Sequence, residues 1–461
     1  MDLEDGFFDD IQEEKHNRDE QKPLQPALRK KRWGKIIGKI FACVLAAGFV
    51  FLSGMLTTWL VLDEEVRTLI KIKKTIDKEY YKDVSDEEFY GVLFAAINED
   101  LLDPYSEYMT GEEYGTTEEN LAGRHNGIGI VVSTKNDKGE NQILISRVVE
   151  NSPAEEAELC VQDYIIGYGK SETEIVDSVD FENGLDPFLQ TIADGEYFYL
   201  KILRGEEEKL IRICRRHYVE SYVQYRTKTT SYGFTGEDAL QFTRQDKPLA
   251  VLDEKTAYIR LSQFTGNAAH GFERVMTQFK TDGMQNLVLD LRGNGGGYLE
   301  YLCYIARYFC KNSTEARPVV TVADYGEKQE YYRASGNVYR EYFGEESRIV
   351  VLADVGTASA SECLIGCMLD YGAITYEDIC LSERSGGTRT YGKGIMQTTF
   401  YLDMEKDDVI KLTTAELRWP ISGHSIHMRG VLPTDGTKTT AGNYNGDEEL
   451  IAAIETLFSG D

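Results

Sequence analysis

The strongest hydrophobic feature of the chain is one unbroken apolar segment near its N-terminus. Residues 40–62 read IFACVLAAGFVFLSGMLTTWLVL without a charged side chain, and as a helix they would span about 30 Å of hydrocarbon. The basic run RKKRWGK precedes the segment at 29–35, and three acidic residues follow it at 63–65. Because a basic flank stays in the cytoplasm, the pattern predicts a cytoplasmic tail over 1–35 and a single transmembrane anchor over 36–62.

This anchor places the bulk of the chain outside the cytoplasm, in a single-pass cell-membrane protein. A cleaved signal peptide is the competing interpretation. The apolar run is long, begins late and lacks a small-x-small cleavage site, and these features favour an uncleaved anchor.

Three further patterns follow the anchor. Residues 63–118 carry apolar positions at helical spacing, with a capping box of Ser85 and Glu88, and predict a helical stalk of two helices. Residues 119–217 change to short β-like runs with a helix start at Ser152-Pro153, and predict a small β-rich domain. The β-like runs are GIGIVVS (127–133), QILISRVV (142–149), YFYLKILRG (197–205) and KLIRIC (209–214).

The remaining region, 218–461, alternates strand and helix patterns, which is typical of an α/β sheet domain. Its patterns are the strands TAYIRLSQF, NLVLDLRG and RIVVLAD, an amphipathic stretch at 267–281, a helix at 298–310 and a second helix from about 359.

The composition of the chain excludes one class of partner and indicates the state of the cysteines. The formal net charge of −28 would repel polyphosphate from most of the surface, so nucleic acid is excluded as a partner. The eight cysteines show no CxxC spacing, and we interpret them as buried free thiols rather than zinc ligands or a disulfide framework.

The segment VVLADVGTASASECLIGCMLDYG at 350–372 carries the first candidate chemistry. A buried strand ends in a turn of small residues, and Ser359 and Ser361 lie at the start of the following helix. Unpaired N–H groups and the helix dipole favour a developing anion there, as a nucleophilic serine and its oxyanion require. The alternative is that both serines are simple N-caps.

A serine nucleophile needs a base. None of the six histidines lies in a recognisable triad context, and we interpret His424 and His427 as ordinary polar residues. Lysine is the next candidate, because loss of solvent can lower its pKa until the neutral amine accepts a proton. Lys393 lies between two glycines before an apolar strand in TYGKGIMQTTF, although a surface turn would have the same pattern.

A glycine run at 295–297 follows the strand LVLDLR. Without Cβ atoms, a backbone N–H there can approach a scissile carbonyl closely. A plain strand–helix turn is one alternative. A phosphate loop is another, and the absence of a GK[ST] sequence and the acidic balance disfavour it.

Taken together, TASASE, GKGIMQ and LVLDLRGNGGG resemble the motifs of the C-terminal processing (tail-specific) peptidases, family S41. The resemblance runs from about residue 64 to the C-terminus and includes DPYSEYMTGEEY at 103–114. It implies that Ser359 is the nucleophile, Lys393 the general base and Gln397 the residue that orients the lysine. It further implies an oxyanion hole from the amides of Ala360 and Gly296, and structural support from Asp370.

The segments GIGI, NSPAEEAEL and DYIIGYG resemble a circularly permuted bacterial PDZ domain. Such a domain adds a peptide as an extra strand and holds its terminal carboxylate in backbone amides. The resemblance implies a peptide-binding role for Gly127, Ile128, Gly129 and Ile130. A β-rich domain that only packs on the protease is the alternative.

The expected protein is thus a helical stalk, a PDZ-like domain and an α/β protease domain on one transmembrane helix, with no metal or organic cofactor. It would hydrolyse extracytoplasmic proteins near their free apolar C-terminal tails through an acyl-enzyme. The stretch between Asp370 and Lys393 is longer than is usual in the family, which we assign to an insertion around 376–387. If that insertion disables the dyad, the chain is an inactive tail-binding adaptor. A homo-oligomer and a regulatory partner stay open.

The charge asymmetry around the anchor predicts its orientation. Protease added to intact cells or spheroplasts should remove the chain beyond about residue 65 and leave the N-terminal tail intact, because a membrane shields only the cytoplasmic side. Immunoblotting with antibodies to each end measures this. A protected C-terminal region would reverse the predicted topology.

Overall fold

A computed structural model gives the fold of two compact units, which divide between Leu93 and Phe94. The residues that the structure describes are 30–135, 141–176, 185–383, 387–403, 407–440 and 447–458. Most of the predicted cytoplasmic tail, 1–29, lies outside them.

Three helices make up the first unit and its boundary: α1 (Lys30–Val61), α2 (Glu64–Glu79) and α3 (Asp86–Ala96). Within α1, the stretch Ile37–Thr57 is long and apolar enough to cross a membrane, and none of it is buried inside the chain. The helix begins at Lys30, inside the predicted tail, so it extends beyond the predicted anchor of 36–62 at its N-terminal end. Lysine and arginine are good helix formers, which lets the helix continue through the basic run.

Polar contacts stabilise the start of α3 and join it to α2. The Ser85 hydroxyl accepts a hydrogen bond of 3.0 Å from Glu88 N, so the predicted helix start is confirmed. Lys73 on α2 forms ion pairs with Asp77 on its own helix and with Asp86 on α3, the latter at 2.8 Å. These pairs join α2 to the start of α3.

The second unit holds the remaining helices and all of the described strands. Its helices are α4 (Gly111–Leu121), α5 (Pro153–Glu156), α6 (Asp186–Leu189), α7 (Ala268–Thr281), α8 (Leu299–Ile305), α9 (Tyr339–Tyr342), α10 (Ala360–Asp370) and α11 (Asp447–Phe458). Its strands are β1 (Glu107–Met109), β2 (Arg124–Gly127), β3 (Ile130–Lys135), β4 (Asn141–Val148), β5 (Tyr164–Gly169), β6 (Tyr197–Arg204), β7 (Glu207–Cys214), β8 (Arg216–Val219), β9 (Val223–Arg226), β10 (Ser231–Thr235), β11 (Gln241–Gln245), β12 (Thr256–Leu261), β13 (Asn286–Asp290), β14 (Val319–Asp324), β15 (Gln329–Arg333), β16 (Ile349–Ala353), β17 (Ile379–Ser382), β18 (Ile395–Asp403), β19 (Asp408–Arg418) and β20 (Lys438–Thr440).

A five-stranded antiparallel sheet in the order β3-β4-β5-β6-β7 forms the β-rich part of the chain. Alternate residues of its strands point into a separate core, as a period of two requires, and examples are Ile143 with Ile145 and Leu200 with Ile202. Strands β2 and β8 pair where the chain enters and leaves this part. The four predicted β-like runs correspond to β3, β4, β6 and β7.

A second, eight-stranded sheet has the order β11-β10-β9-β12-β13-β16-β17-β20. Five strands of this sheet pair in parallel: β12, β13, β16, β17 and β20. Apolar cores cover both faces of this parallel part. On β13, Leu287 and Leu289 join the core that contains α7, α8 and α10, whereas Val288 joins the core that contains α11. Burial on both faces explains why these strands read as continuous apolar runs.

A third sheet is built on the long hairpin of β18 and β19, and both β1 and β14 pair with β19. Residues 107–109 therefore belong to the second unit, so the predicted stalk over 63–118 is too long at its C-terminal end. The register joins Glu107 to Lys411, about 300 positions away, and helical spacing carries no signal of such a long-range pairing.

The predictions for the remaining regular elements are partly correct. The helix predicted over 298–310 ends at Ile305 and continues as a single 3₁₀ turn, Ala306–Tyr308. The predicted strand–helix alternation did not include the antiparallel strands β9, β10 and β11 or the antiparallel pair of β14 and β15. All eight cysteines are free thiols, but the prediction that they are buried holds for four of them, because Cys214 and Cys303 are half-buried and Cys43 and Cys160 are exposed.

Candidate active site

Ser359 lies at the turn between β16 and α10. The central strand ends at Ala353, and Ser359 directly precedes the first residue of the helix. Its φ of 56° falls in the left-handed region, which a non-glycine residue adopts only when its surroundings hold it there. The side chain is largely buried, with 8% of the residue exposed. The local fold thus presents a single hydroxyl on a strained turn at a helix start.

The two candidate serines have different surroundings. Ser361 is fully buried, and its hydroxyl donates a 3.0 Å hydrogen bond to the carbonyl oxygen of Asn294. No side-chain cap hydrogen bond from Ser359 is found among the described residues. Ser361 therefore joins the Ser359 turn to the glycine-rich loop, whereas the Ser359 hydroxyl is left for other chemistry.

Gly296 packs directly against this turn. A Cβ on Gly296 would lie 2.8 Å from Ser359 Cβ and 2.9 Å from Ala360 N, and its φ of 101° also requires glycine. The structure therefore brings together Gly296, Ser359 and Ala360, as expected. However, Gly296 N donates to Asn294 Oδ1 at 2.9 Å, so this amide would have to leave that bond to serve an oxyanion.

Ala360 is better placed for that role. It is the first residue of α10, and the N–H groups of a first helical turn have no intrahelical acceptor. The positive end of the helix dipole adds to the effect of this donor. A negative charge that develops beside Ser359 can therefore be stabilised by the start of α10.

Lys393 lies immediately before β18, between Gly392 and Gly394. Its amine nitrogen is 5.1 Å from the centre of the Tyr105 ring, which partly encloses it. A Cβ on Gly394 would lie 2.6 Å from His427 N, so the backbone here packs too closely for any larger residue. The two glycines thus allow the lysine segment to lie deep against neighbouring loops.

The surroundings of Lys393 lower the pKa of its amine. Burial is the largest cause and lowers the pKa of Lys393 below its ordinary value of 10.5, and the positive charge of Lys411 lowers the pKa further. The carboxylate of Asp103 acts in the opposite direction. The net shift brings the amine closer to a form that can accept a proton near neutral pH.

Gln397 lies four residues after the lysine and contacts a polar network. Its Nε2 donates to Thr413 Oγ1 at 3.2 Å, and Thr413 Oγ1 donates to Asp103 Oδ1 at 3.2 Å. Ser106 Oγ donates to the other oxygen of Asp103 at 2.8 Å. Within the described part of the chain, no hydrogen bond joins Gln397 to the lysine amine.

Asp103 begins the segment DPYSEYM, whose last three residues form β1 and pair with β19. Burial would raise its pKa, but hydrogen bonds from Ser106, Tyr105 and Thr413 outweigh burial and lower the pKa below its ordinary value. Asp103 is therefore ionised at neutral pH and contributes a fixed negative charge near the lysine.

The residue that joins these parts is Glu362, to which sequence reasoning gave no role. Its Oε2 accepts hydrogen bonds from Ser359 N and Lys393 N, both at 3.0 Å. Its Oε1 accepts from Thr390 Oγ1 at 2.6 Å and from Gly392 N at 2.8 Å. Because one oxygen contacts both nitrogens, the backbones of Ser359 and Lys393 are separated by at most twice the length of these bonds.

Glu362 is fully buried, and burial raises the pKa of its carboxyl group while the four hydrogen bonds oppose this rise. Its sequence signal was the S-x-x-E spacing from Ser359, the pattern of a capping box, in which the glutamate bonds the N-cap amide. The further bonds to Thr390, Gly392 and Lys393 cross about 30 positions and leave no local pattern.

Asp370 lies at the other end of α10. Its Oδ2 accepts hydrogen bonds from Ile421 N at 2.8 Å and from Ser422 N at 2.9 Å. Eleven helical residues separate the two ends by about 16 Å. Asp370 therefore supports a surface loop and not the Ser359 turn.

The extra length before Lys393 also differs from the expectation. Residues 379–382 form β17, an interior strand of the eight-stranded sheet, so they are not part of an insertion. Residues 384–386 of the proposed insertion lie outside the described residues. Lys393 itself is tied to Glu362, so the added residues do not displace its backbone.

The four candidate peptide-binding residues join β2 to β3. Gly127 pairs with Arg216, the Ile128 carbonyl accepts from Ala154 N at 2.8 Å, and the Gly129 carbonyl accepts from Val149 N at 2.9 Å. Gly129 has a φ of 82°, and a Cβ there would collide with Ser152. Ile130 begins β3, which pairs only with β4 among the described strands.

Comparison with known proteins agrees with this geometry. Residues 255–435 match the model of peptidase family S41. A probable CtpA-like serine protease of Staphylococcus aureus (strain bovine RF122 / ET3-1) is 26% identical over 430 residues, which cover 90% of this chain and 75% of the relative. One from Staphylococcus epidermidis (strain ATCC 12228 / FDA PCI 1200) is 27% identical over 379 residues, which cover 81% and 66%.

A solved structure shares the fold. The putative S41 protease of Bacteroides fragilis NCTC 9343 superposes with a TM-score of 0.52 at 16% identity, covering 83% of this chain and 91% of that protein. It contributes the architecture alone, and the family assignment follows from the sequence matches. The region 255–435 is therefore a peptidase family S41 domain, and the chain is a serine-type peptidase.

Proposed function

We propose that the chain is an endopeptidase in which Ser359 is the nucleophile and Lys393 is the general base. The observation that carries this proposal is the pair of hydrogen bonds to Glu362 Oε2 from Ser359 N and Lys393 N. A single buried oxygen fixes both backbones, which is the positioning that a two-residue catalytic unit needs.

The reaction begins with the neutral amine of Lys393. It takes the proton of the Ser359 hydroxyl as the oxygen attacks the scissile carbonyl, and the Ala360 N–H stabilises the resulting oxyanion. Protonated Lys393 then gives its proton to the leaving amine. The acyl-enzyme on Ser359 is hydrolysed by a water molecule that the same lysine activates.

Two further residues assist in this scheme. Gly296 supplies a second oxyanion donor when its amide turns from Asn294 Oδ1, which lies in the same tight loop. Gln397 acts through the network of Thr413 and Asp103, which sets the charge around the lysine. Its orienting role is thus indirect in this conformation.

The proposed substrates are extracytoplasmic proteins with a free apolar C-terminus. The β-rich part serves as a PDZ-like domain, in which the substrate tail adds to the free edge of β3 and the turn at 127–130 holds its carboxylate. Val131 on that edge is 45% exposed. The helix stretch Ile37–Thr57 anchors the enzyme in the cell membrane.

The inactive adaptor is the weaker alternative. It requires that the residues before Lys393 disrupt the dyad, whereas Thr390, Gly392 and Lys393 all bond to Glu362. The hydrogen-bonded lysine segment favours the enzyme.

The dyad is tested by substitution. Ser359→Ala should abolish peptide cleavage, and Lys393→Arg should be as inactive as Lys393→Ala, because a guanidinium does not lose its proton at working pH. Cleavage of an unstructured protein substrate by the purified full chain measures both. Thermal unfolding should change little for Ser359→Ala, because even a hydroxyl that caps a helix contributes only about 1 kcal/mol and Ser359 makes no such bond in the described residues.

The matched control for the nucleophile is Ser361→Ala. It loses the bond to Asn294 O and should be somewhat less stable, yet it should retain most activity. An active Lys393→Arg enzyme would exclude the lysine as base, and an inactive but folded Ser361→Ala enzyme would point to the other serine.

The pH profile tests the charge environment of the base. Because the neutral amine is the active form, kcat/KM should rise with pH through the lowered pKa of Lys393, with a midpoint below 10.5. Lys411→Gln removes a charge that lowers this pKa and should move the midpoint upward. Asp103→Asn removes the opposing charge and should move it downward.

Initial rates across a pH series measure these shifts, with Lys328→Gln as a control because that lysine is exposed elsewhere on the second unit. The control midpoint should equal that of the unmodified enzyme. Shifts of Lys411→Gln and Asp103→Asn in the same direction would contradict the assignment.

Tail recognition is tested with matched substrates. A protein substrate with a free apolar C-terminus should be cleaved faster than the same substrate with an amidated or charged end, because the turn at 127–130 binds a terminal carboxylate. A blocked N-terminus serves as the control and should leave the rate unchanged. Equal rates for free and amidated tails would mean that the β-rich part packs on the protease domain and does not bind the substrate tail.

A further inference from the structure

An open cleft of about 470 Å³ lies beside the glycine-rich loop. Its walls come from α4, from the strand connections around residues 122–124 and 238–240, and from Thr265 to Asn267. Tyr298 and Tyr301 complete the wall on the side of the loop. The proposed mechanism uses none of these side chains.

The loop holds one edge of the cleft next to Ser359. Phe264 N donates to Gly296 O at 2.8 Å, and Tyr298 N donates to Phe264 O at 2.9 Å. Tyr298 is thus fixed two residues after Gly296, which contacts the Ser359 turn. Two residues span at most about 7 Å, so this edge of the cleft lies close to the Ser359 turn.

Tyr298 is held in place by α4. Its hydroxyl donates to both carboxylate oxygens of Glu118, at 2.8 and 2.9 Å. Burial and then this bond to Glu118 raise the pKa of Tyr298, so the phenol stays protonated and keeps donating. The Glu118 side chain lines the cleft, and its carboxylate oxygens have lone pairs beyond those that accept from Tyr298.

The charges of the lining are unbalanced. Glu118 and Asp238 contribute two carboxylates, and Arg124 contributes one guanidinium. Asp238 is exposed at the cleft surface. An apolar substrate side chain in the cleft would offer no hydrogen bonds to the two carboxylates. A cationic side chain with several N–H donors would bond to them.

We propose that this cleft is a substrate subsite for one basic side chain, lysine or arginine, close to the scissile bond. The inference rests on the proposed peptidase function and names the specificity of the same site. Glu118 provides the negative charge that binds the basic side chain, and Tyr298 forms the wall beside the glycine-rich loop. Arg124 repels a second positively charged side chain.

The test is a peptide panel cleaved by the purified full chain in detergent. Lysine, arginine, glutamine, leucine and glutamate are placed in turn at each of the three positions on either side of the scissile bond. We expect kcat/KM to favour lysine or arginine over glutamine at one position by roughly fivefold to tenfold, the range for a partly desolvated charge pair.

Two substitutions should change that ratio in opposite directions. Glu118→Gln keeps an acceptor for the Tyr298 hydroxyl but removes the charge, so the lysine-to-glutamine ratio should fall to about twofold or less. Arg124→Gln should increase the ratio. Asp238→Asn, at an exposed position, should lower it and serves as a second variant if Glu118→Gln unfolds.

The matched control is Glu119→Gln, the next residue of α4, which is exposed and does not line the cleft. It makes the same change of charge and should leave both the activity and the ratio unchanged. A preference that is absent at all six positions, or that survives in both Glu118→Gln and Asp238→Asn, overturns the subsite while the peptidase function stands. A chain that cleaves no peptide overturns both.

Discussion

The hydrogen bonds of one buried carboxylate hold the catalytic region together. Glu362 lies in the first turn of α10, and its two oxygens accept four hydrogen bonds from the Ser359 turn and the Lys393 segment. Burying a carboxylate costs several kcal/mol, and only a full set of donors offsets that cost. The donors depend equally on Glu362, because each buried donor left without its acceptor costs roughly 1–3 kcal/mol. The turn, the lysine segment and the helix start are therefore stable only as a set.

The surroundings of the lysine come from distant parts of the chain. Lys411 lies on β19, and Asp103 and Tyr105 precede β1, which pairs with that strand. Gly394 allows the backbone of His427 to approach closely. The pKa of Lys393 is thus a property of the assembled third sheet and not of the GKG sequence around it.

The sequence predicts those elements of the fold and the site that depend on contacts between residues close together in the chain. Continuous apolar runs located β12, β13 and β16, because both faces of these strands are buried in apolar cores. The helix start at Ser359 was also predictable, since small residues and a capping box are local signals. The partnership of Glu362 with Lys393, the pairing of β1 with β19 and the interior position of β17 depend on contacts between distant residues. A single sequence carries no local trace of these contacts.

The pairing of β1 with β19 has a practical consequence for work with shortened proteins. A recombinant fragment cut to the region 255–435, or beginning at the β-rich part, would lack Asp103, Ser106 and β1. The hairpin edge at 409–411 would then present unpaired backbone groups, which invite association with a second copy. A soluble fragment that begins at or before Phe94, where the second unit starts, avoids this loss. The residues from Phe94 through β1 are thus an integral part of the hydrolase body.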